Sequence, residues 1–520
     1  MFGKIVWSVP VFSGWPEVDR WRKAIKGEKS RQGGMGQHAR RIEGLTGLVG
    51  PDGMRQGEDT MPRDIAFRRA DPPHAAESEV ATRELETTSP MEIGNGRNTG
   101  ISSSVRPTAR GWLAWLCLSR LSLSLIFTAY AGVIPLVYEA WNLSAAKAAT
   151  VQSAWHVGYL VSLFVVGLIA DRYGARRTYL VSSVAAASAA FGFALFSHGY
   201  ASALVLYGLT GLCSGGSYTP GLALIAEHTS AGTRGRAMGW FLGASSVGYA
   251  IELGGLGLFS SLGTWRAGLH FAAGAALFGA ICGWIALRTI QDPAPGPSAD
   301  SPWRAIIDTW RDTAAMTCNW AYTFHCWELF VVWAWLPSFL AAAGSGITTR
   351  PGRSWGIAVA GLAHLLGATG SIVGGAASDR WGRTRMMLLL SILSLSGSFL
   401  FGWLSAWPIG PLVIVAGLYN LCAIADSSIY STALAEAVPA TRLGAAYSVR
   451  SVMGFGAGAI SPVVFGAALD LGRAHFGATS PYAWALAWSS AGVGALVGPV
   501  MILRFDRLMR HHTATSRVRA

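Results

Sequence analysis

Twelve long apolar windows follow residue 110, and they restrict this chain to very few folds. They run over 111–137, 149–170, 178–197, 201–226, 237–260, 266–289, 313–341, 355–377, 385–404, 409–434, 443–468 and 482–504. Crossing the hydrocarbon core of a bilayer takes about 20 residues of helix. Backbone surrounded by lipid must satisfy its own hydrogen bonds, so such windows fold as helices. Each is rich in Ala, Gly, Leu and Val, with Gly and Ser spaced to let helix backbones approach closely. The fold class expected is an all-α polytopic membrane protein with twelve transmembrane helices.

Charge distribution points the same way. Residues 1–110 hold 17 Lys/Arg and 14 Asp/Glu, whereas residues 111–520 hold 24 and 14. Charged residues are thus about 9% of the second part, against ~25% in a soluble globular chain. A soluble multidomain enzyme is excluded. Net charge is +13, yet no basic patch interleaved with aromatics suggests nucleic acid, and basic loops that orient membrane helices account for the excess. The six cysteines all lie in apolar stretches without a CxxC pair or metal-ligand spacing, so neither disulfides nor a metal site is expected. No cofactor motif appears, and no HExxH, GxSxG or Walker-type loop supports an enzyme or a nucleotide-driven pump.

The segment 1–110 mixes both charges with Gly and Pro and shows no sustained period, which predicts a disordered cytoplasmic tail. Met61 and Met91 both precede the first apolar window, so a mis-assigned start is an equal reading, and a chain starting at Met91 keeps every span. The longest connection, 290–312, is Pro-rich and then polar around Trp303 and Trp310. It reads as a linker with an interfacial helix. It divides the chain into a six-helix bundle at 111–289 and another at 313–504, followed by a tail at 505–520. With residue 110 placed in the cytoplasm, the inside loops carry twelve arginines and the outside loops five basic residues. The asymmetry predicts both termini in the cytoplasm and a multi-pass protein of the cell (inner) membrane.

Two stretches repeat each other. Gly167-Leu-Ile-Ala-Asp171-Arg172-Tyr-Gly174-Ala-Arg-Arg is echoed, 208 residues later, by Gly375-Ala-Ala-Ser-Asp379-Arg380-Trp-Gly382-Arg-Thr-Arg. Each follows the second span of its half. A second echo joins Glu227 and Arg234 to Glu436 and Arg442. Internal duplication of a six-helix unit is the economical explanation. The loops put a carboxylate and an arginine at helix ends, where each finds an opposite charge or a helix terminus. Gly174 and Gly382 allow a tight turn.

These residues resemble the loop signature of the major facilitator superfamily, Gly-x-Leu-Ala-Asp-Arg-x-Gly-Arg-Arg/Lys between the second and third helices. The first copy departs at Ala175; the second departs at Ser378 and Thr384. The resemblance covers about 111–510. It implies two pseudo-symmetric six-helix bundles, a secondary transporter working by alternating access, and a central cavity lined by spans 1, 4, 7 and 10. It also implies that Asp171, Arg172, Glu227 and Arg234, with Asp379, Arg380, Glu436 and Arg442, form inner-face latches. Anchoring of the loops to headgroups is the plainer alternative. The fifth span has Gly243 and Gly248 without the proline of drug exporters, and the fourth lacks the early arginine of related proton-driven porters.

A charge at bilayer depth calls for a partner or a task. The interior candidates are Arg120, His156, Glu252, His270, His325, Glu328, His364, Asp426 and Arg450. On span 7, Tyr322, His325 and Trp333 share a stripe, with Glu328 bordering it; on span 10, Tyr419, Asp426 and Tyr430 do the same. Tyr207 and Tyr218 belong to span 4. For each aromatic singly, ordinary packing competes with a cavity role. Shifting Arg120 by the repeat interval lands on Glu328, so cation and carboxyl are expected at matching depths. Arg120, with Arg450, is expected to bind an anionic group of a small solute, and Glu328, His325 or Asp426 to carry a proton. A permanent salt bridge from Arg120 to Glu328 or Asp426 is the competing reading. His156, His270 and His364 are expected to be satisfied by neighbouring carbonyls, and Glu252 has no assignment. The leading function is transport of a small solute by a monomer; a membrane sensor on a carrier fold and a facilitative uniporter of a neutral solute are the alternatives.

Overall fold

A computed structural model describes residues 111–292, 302–343, 350–439, 442–478 and 480–519. The expected tail and the Met91 start fall outside the described residues. Those described are helical throughout, without a strand. In chain order the helices are α1 (Trp112–Ala140), α2 (Ala145–Tyr173), α3 (Ala175–Phe196), α4 (Tyr200–Ser214), α5 (Thr219–His228), α6 (Ala231–Leu262) and α7 (Trp265–Leu287). After the linker come α8 (Pro302–Arg311), α9 (Thr313–Ala343), α10 (Arg350–Trp381), α11 (Arg383–Leu400), α12 (Ile409–Ala425), α13 (Ser427–Ala437), α14 (Leu443–Phe476), α15 (Pro481–Ala495) and α16 (Val497–Arg519).

Among the described residues ten stretches are long and apolar enough to cross a membrane. The fourth and eighth expected spans are not among them, for different reasons. The fourth is interrupted by a 3-10 turn at Gly215–Ser217, which leaves α4 and α5 each too short alone. The eighth, α10, is 32 residues long but diluted by Gly, Ser and Arg. The tenth window is also divided, at Asp426, which is the junction of α12 and α13. The expected C-terminal tail is instead a continuation of helix, since α16 runs to Arg519.

The duplication is visible in backbone angles. Gly174 has φ 92° and ψ 147°, and Gly382 has φ 93° and ψ 143°. Both occupy a region that residues with a Cβ avoid. Each ends one helix by donating to the carbonyl four residues back, Ala170 and Ser378. Each also accepts the first bond of the next helix, from Thr178 and Met386. The broken spans obey the same repeat: Tyr218, between α4 and α5, and Asp426, between α12 and α13, are 208 residues apart.

Three helix pairs carry most of the contact between the halves: α1 with α9, α2 with α14, and α6 with α10. Their close approaches cluster away from the Asp171 and Asp379 loops. Gly257 meets the Ser354 carbonyl and Ala358, and Gly361 meets the Ala250 carbonyl. Gly458 packs on His156 and Phe330, and Gly466 on the backbone of Ala145 and Ala146. At that far face Asp470, near the end of α14, accepts hydrogen bonds from Ala145 N (2.8 Å) and Ala146 N (2.9 Å), the first residues of α2. Arg473 lies over Tyr138 of α1, 5.4 Å from the ring centroid.

Candidate functional site

Arg120 sits on the buried face of α1, with 8% of its surface exposed. Its Nε donates to Ser245 Oγ of α6 (2.7 Å), and its Nη1 to Ser217 Oγ in the 3-10 turn (3.1 Å). The guanidinium lies 5.1 Å from the Tyr218 ring and 5.7 Å from the Phe241 ring. Hydroxyls and aromatic faces thus hold the cation. Among the described residues no carboxylate lies within salt-bridge distance of it. The break between α4 and α5 is what brings Ser217 and Tyr218 to this point.

In the second half Arg450 of α14 packs over Tyr322 (4.6 Å) and Tyr447 (4.8 Å), while its Nη1 donates to Ser431 Oγ (2.6 Å). Its Nε is buried without a partner. Tyr218 lies within electrostatic range of both Tyr322 and Tyr447. Its ring lies against the Arg120 guanidinium of the first half. Beside Tyr322, His325 Nδ1 lies 2.9 Å from Asp426 Oδ1, and Nε2 lies 2.8 Å from Ser427 Oγ. The Tyr430 ring covers the imidazole at 5.3 Å. An imidazole thus faces a carboxyl at ion-pair distance, between α9 and the break of the tenth window. The break at Asp426 points its side chain at α9.

An aromatic layer lies about 10 Å from Arg120 toward the far face, seven residues along α1. Phe127 meets Trp333 at 5.4 Å and Phe330 at 6.3 Å across the halves. His156 packs on Phe330 at 4.8 Å, and Tyr249 on Trp333 at 5.1 Å. Trp333 donates to Asn420 Oδ1 (3.3 Å). Phe127, Gln152, His156 and Trp333 line a narrow crevice. This layer and the Asp470 contact with the start of α2 pack the two halves together on the far side of the site.

Several sequence expectations are redirected. Glu328 does not face Arg120. It turns into the second half and accepts from Ser394 (2.6 Å), Ser398 (2.6 Å) and Tyr419 (3.1 Å). The salt-bridge alternative for Arg120 thus fails with both carboxylates, because Asp426 is held by His325. Tyr419 spends its hydroxyl on that network. Tyr207 lies wholly inside the first half, bonded to the carbonyls of Ile126 (2.9 Å) and Phe127 (3.0 Å). It wedges into the ladder of α1 at the Ile126–Tyr130 step. Tyr430 Oη is buried and unpartnered. A helical stripe alone does not say which neighbour each edge meets.

In the second loop the cation joining Asp379 to Glu436 is Arg383, whose Nε is 3.2 Å from Glu436 Oε1 and whose Nη1 bonds Asp379. Arg380 is exposed. Arg442 pairs instead with Asp312 at 3.5 Å. In the first loop the side chains of Asp171 and Arg234 lie outside the described residues, and Arg172 and Glu227 are exposed. There Asp292 accepts from Arg176 N (2.6 Å) at the start of α3, and Arg176 Nε donates to the Leu287 carbonyl (2.7 Å). Gly167 and Gly375 are half-buried within α2 and α10. His156 and His270 bond carbonyls four residues back, as expected. His364 Nε2 is buried without a partner.

The profile of the Major Facilitator Superfamily matches residues 116–462. The chain belongs to this superfamily. A protein of Cupriavidus necator named as a sulfoacetate transporter is 25% identical over 374 residues, covering 64% of this chain and 80% of that protein. One of Bacillus subtilis named as a niacin/nicotinamide transporter is 25% identical over 232 residues, covering 41% of this chain and 54% of its own length. Among solved structures, a nucleoside transporter matches with TM-score 0.61 at 15% identity, over 76% of this chain and 99% of that one. A bacterial homologue of the human lysosomal transporter Spinster, inward-facing and unoccupied, matches with TM-score 0.61 at 14% identity, over 77% and 98%. The superfamily fold and these relatives make the chain an integral multi-pass membrane transporter of a small solute, not an enzyme.

Proposed function

We propose that this transporter carries a small organic anion by alternating access, with Arg120 as the anion's anchor and proton exchange at the His325–Asp426 pair. The observation that carries the reading is the bonding of Arg120: a buried guanidinium held by Ser217, Ser245 and aromatic faces, with no carboxylate in salt-bridge range among the described residues. A buried cation without a counter-charge is costly, and an arriving carboxylate or sulfonate supplies one. Arg450 is the second anchor. Tyr322, Tyr218 and Trp333 bound the solute; Tyr207 and Tyr419 hydrogen-bond within their own halves. Of the two best-covered relatives, one is named for sulfoacetate, which carries a sulfonate and a carboxylate and supports the class, and the other for niacin together with the neutral nicotinamide.

Twelve crossings complete the reading, with α4 plus α5 and α10 added to the ten apolar stretches, arranged as six plus six about the 290–312 linker. The loop-bearing face is then cytoplasmic, together with both chain ends, and the far-face contacts hold the outer path shut. One chain contains a whole pathway. His325–Asp426 serves the coupling proton better than Glu328, because it lies beside Arg450 and Tyr322 rather than inside the second half. Replacing Arg120 with Gln in proteoliposomes tests the anchor: uptake of carboxylates and sulfonates should be lost while thermal unfolding stays cooperative. Unchanged uptake sinks the anchor role.

A further inference from the structure

Glu252, within α6, is fully buried, and neither oxygen of its carboxyl has a hydrogen-bond partner among the described residues. The register of α6 on α1 shows what it faces. Gly248 packs on Leu121 and Ser124, and Leu256 on Gly132. Glu252 is one turn from each, which sets it at the level of Thr128 on α1 with no hydrogen bond between the two side chains. Thr128 Oγ1 is itself buried and unpartnered, as are Tyr130 Oη on α1 and Gln152 Oε1 on α2. Tyr207 adjoins these groups: its ring is 5.5 Å from Tyr130, and its hydroxyl takes the Tyr130 N–H.

The orphans complement one another. A protonated carboxyl offers one O–H and one carbonyl acceptor, Thr128 and Tyr130 offer hydroxyls, and Gln152 offers an acceptor. An ionised carboxylate would instead be a bare charge, because no Lys, Arg or His lies within salt-bridge distance of Glu252 among the described residues. Such burial is avoided by neutralisation. The other titratable groups on the elements around it include His156 of α2, which lines a crevice with Thr128 and Gln152. From α1 and α4 these are the phenols Tyr130 and Tyr207. From α10, His364 packs 6.3 Å from the Tyr249 ring, and from α7, His270 is exposed and bonded to its own backbone.

We propose that Glu252 is the centre of a proton-binding site in the first half, separate from the anion site and from His325–Asp426. The carboxyl holds its proton in the conformation described. When the halves rearrange, the proton leaves to bulk water through the crevice lined by Thr128, Gln152 and His156, and the carboxylate remains.

Infrared spectra of the full-length protein in lipid at neutral pH test this. The parent should show a protonated-carboxyl carbonyl band that shifts in D2O and that Glu252→Gln removes, with thermal stability unchanged or raised. Thr128→Val should move the band without removing it. The same band persisting in Glu252→Gln overturns the site, as does a Na+-dependent stabilisation that this variant loses. Should Glu252→Gln not fold, an unmoved band in both Thr128→Val and Tyr130→Phe overturns it equally. The readout does not involve Arg120, so a failed test leaves the anion anchor standing, and loss of the anchor leaves this site standing.

Discussion

Asp470→Asn should open the far face. In the structure both carboxylate oxygens accept backbone N–H groups at the start of α2, at 2.8 and 2.9 Å. Asparagine keeps one acceptor, loses the other bond, and removes the charge facing the positive end of the helix. A hydrogen bond to a charged group contributes about 1.5–3 kcal/mol, and a charge at a helix terminus about 0.3–1 kcal/mol when exposed. Asp470 is half-buried and water replaces part of what is lost, so about 2 kcal/mol is a fair net figure. At ~1.4 kcal/mol per factor of ten, the equilibrium between open and shut far faces moves about thirty-fold toward open. Ser461 reports it. It is wholly buried on α14 between Gly458 and Gly466, the two glycines that touch α2 and its neighbours. In a background without the six native cysteines, Ser461→Cys should react with a polar thiol reagent about thirty times faster when Asp470→Asn is added. An unchanged rate in a folded protein would refute the latch.

Three further outcomes follow from the same geometry. His325→Gln and Asp426→Asn should each leave exchange of bound solute intact while abolishing pH-driven accumulation in proteoliposomes; accumulation at the parent's level would remove the pair from coupling. Gly174→Ala and Gly382→Ala both force a Cβ into a glycine conformation, at about 1–3 kcal/mol each. Gly174→Ala should lower the unfolding temperature more, since its Cβ would meet the Asp292 carboxyl whereas that of Gly382 meets open space; equal losses would argue against the Asp292 contact. Arg383→Gln removes the bridge from Asp379 to Glu436, but both acids are at least half exposed. Its effect on stability should therefore stay within about 1 kcal/mol and vanish at high salt. A larger, salt-insensitive loss would give the bridge a weight its exposure does not explain.

The spans, the duplication and the loop glycines were legible because each rests on local rules: length, apolarity and turn stereochemistry. The candidates for the site were legible one by one, since ionisable residues are rare in these windows. Their partnerships were not. Arg120 and Glu328 match in the repeat, yet one turns toward Ser217 and Ser245 and the other toward Ser394 and Ser398. Serines are common along such helices and carry no signal that singles out four of them. Asp470 was a lone acid near the end of a span and signalled little, because its partners are backbone N–H groups of a helix more than 300 residues away.

By itself the sequence determined that the chain after residue 110 is a repeated set of membrane helices with a few buried ionisable groups. Hydrophobic length and the repeat interval are properties of a single strand of residues. Only the tertiary structure decided that Tyr218 and Asp426 mark breaks, that Arg383 rather than Arg380 bridges the loop acids, and on which face the halves pack together. Those outcomes depend on how helices rotate and lean against one another, and that is settled by many weak contacts between distant residues that no window of sequence contains.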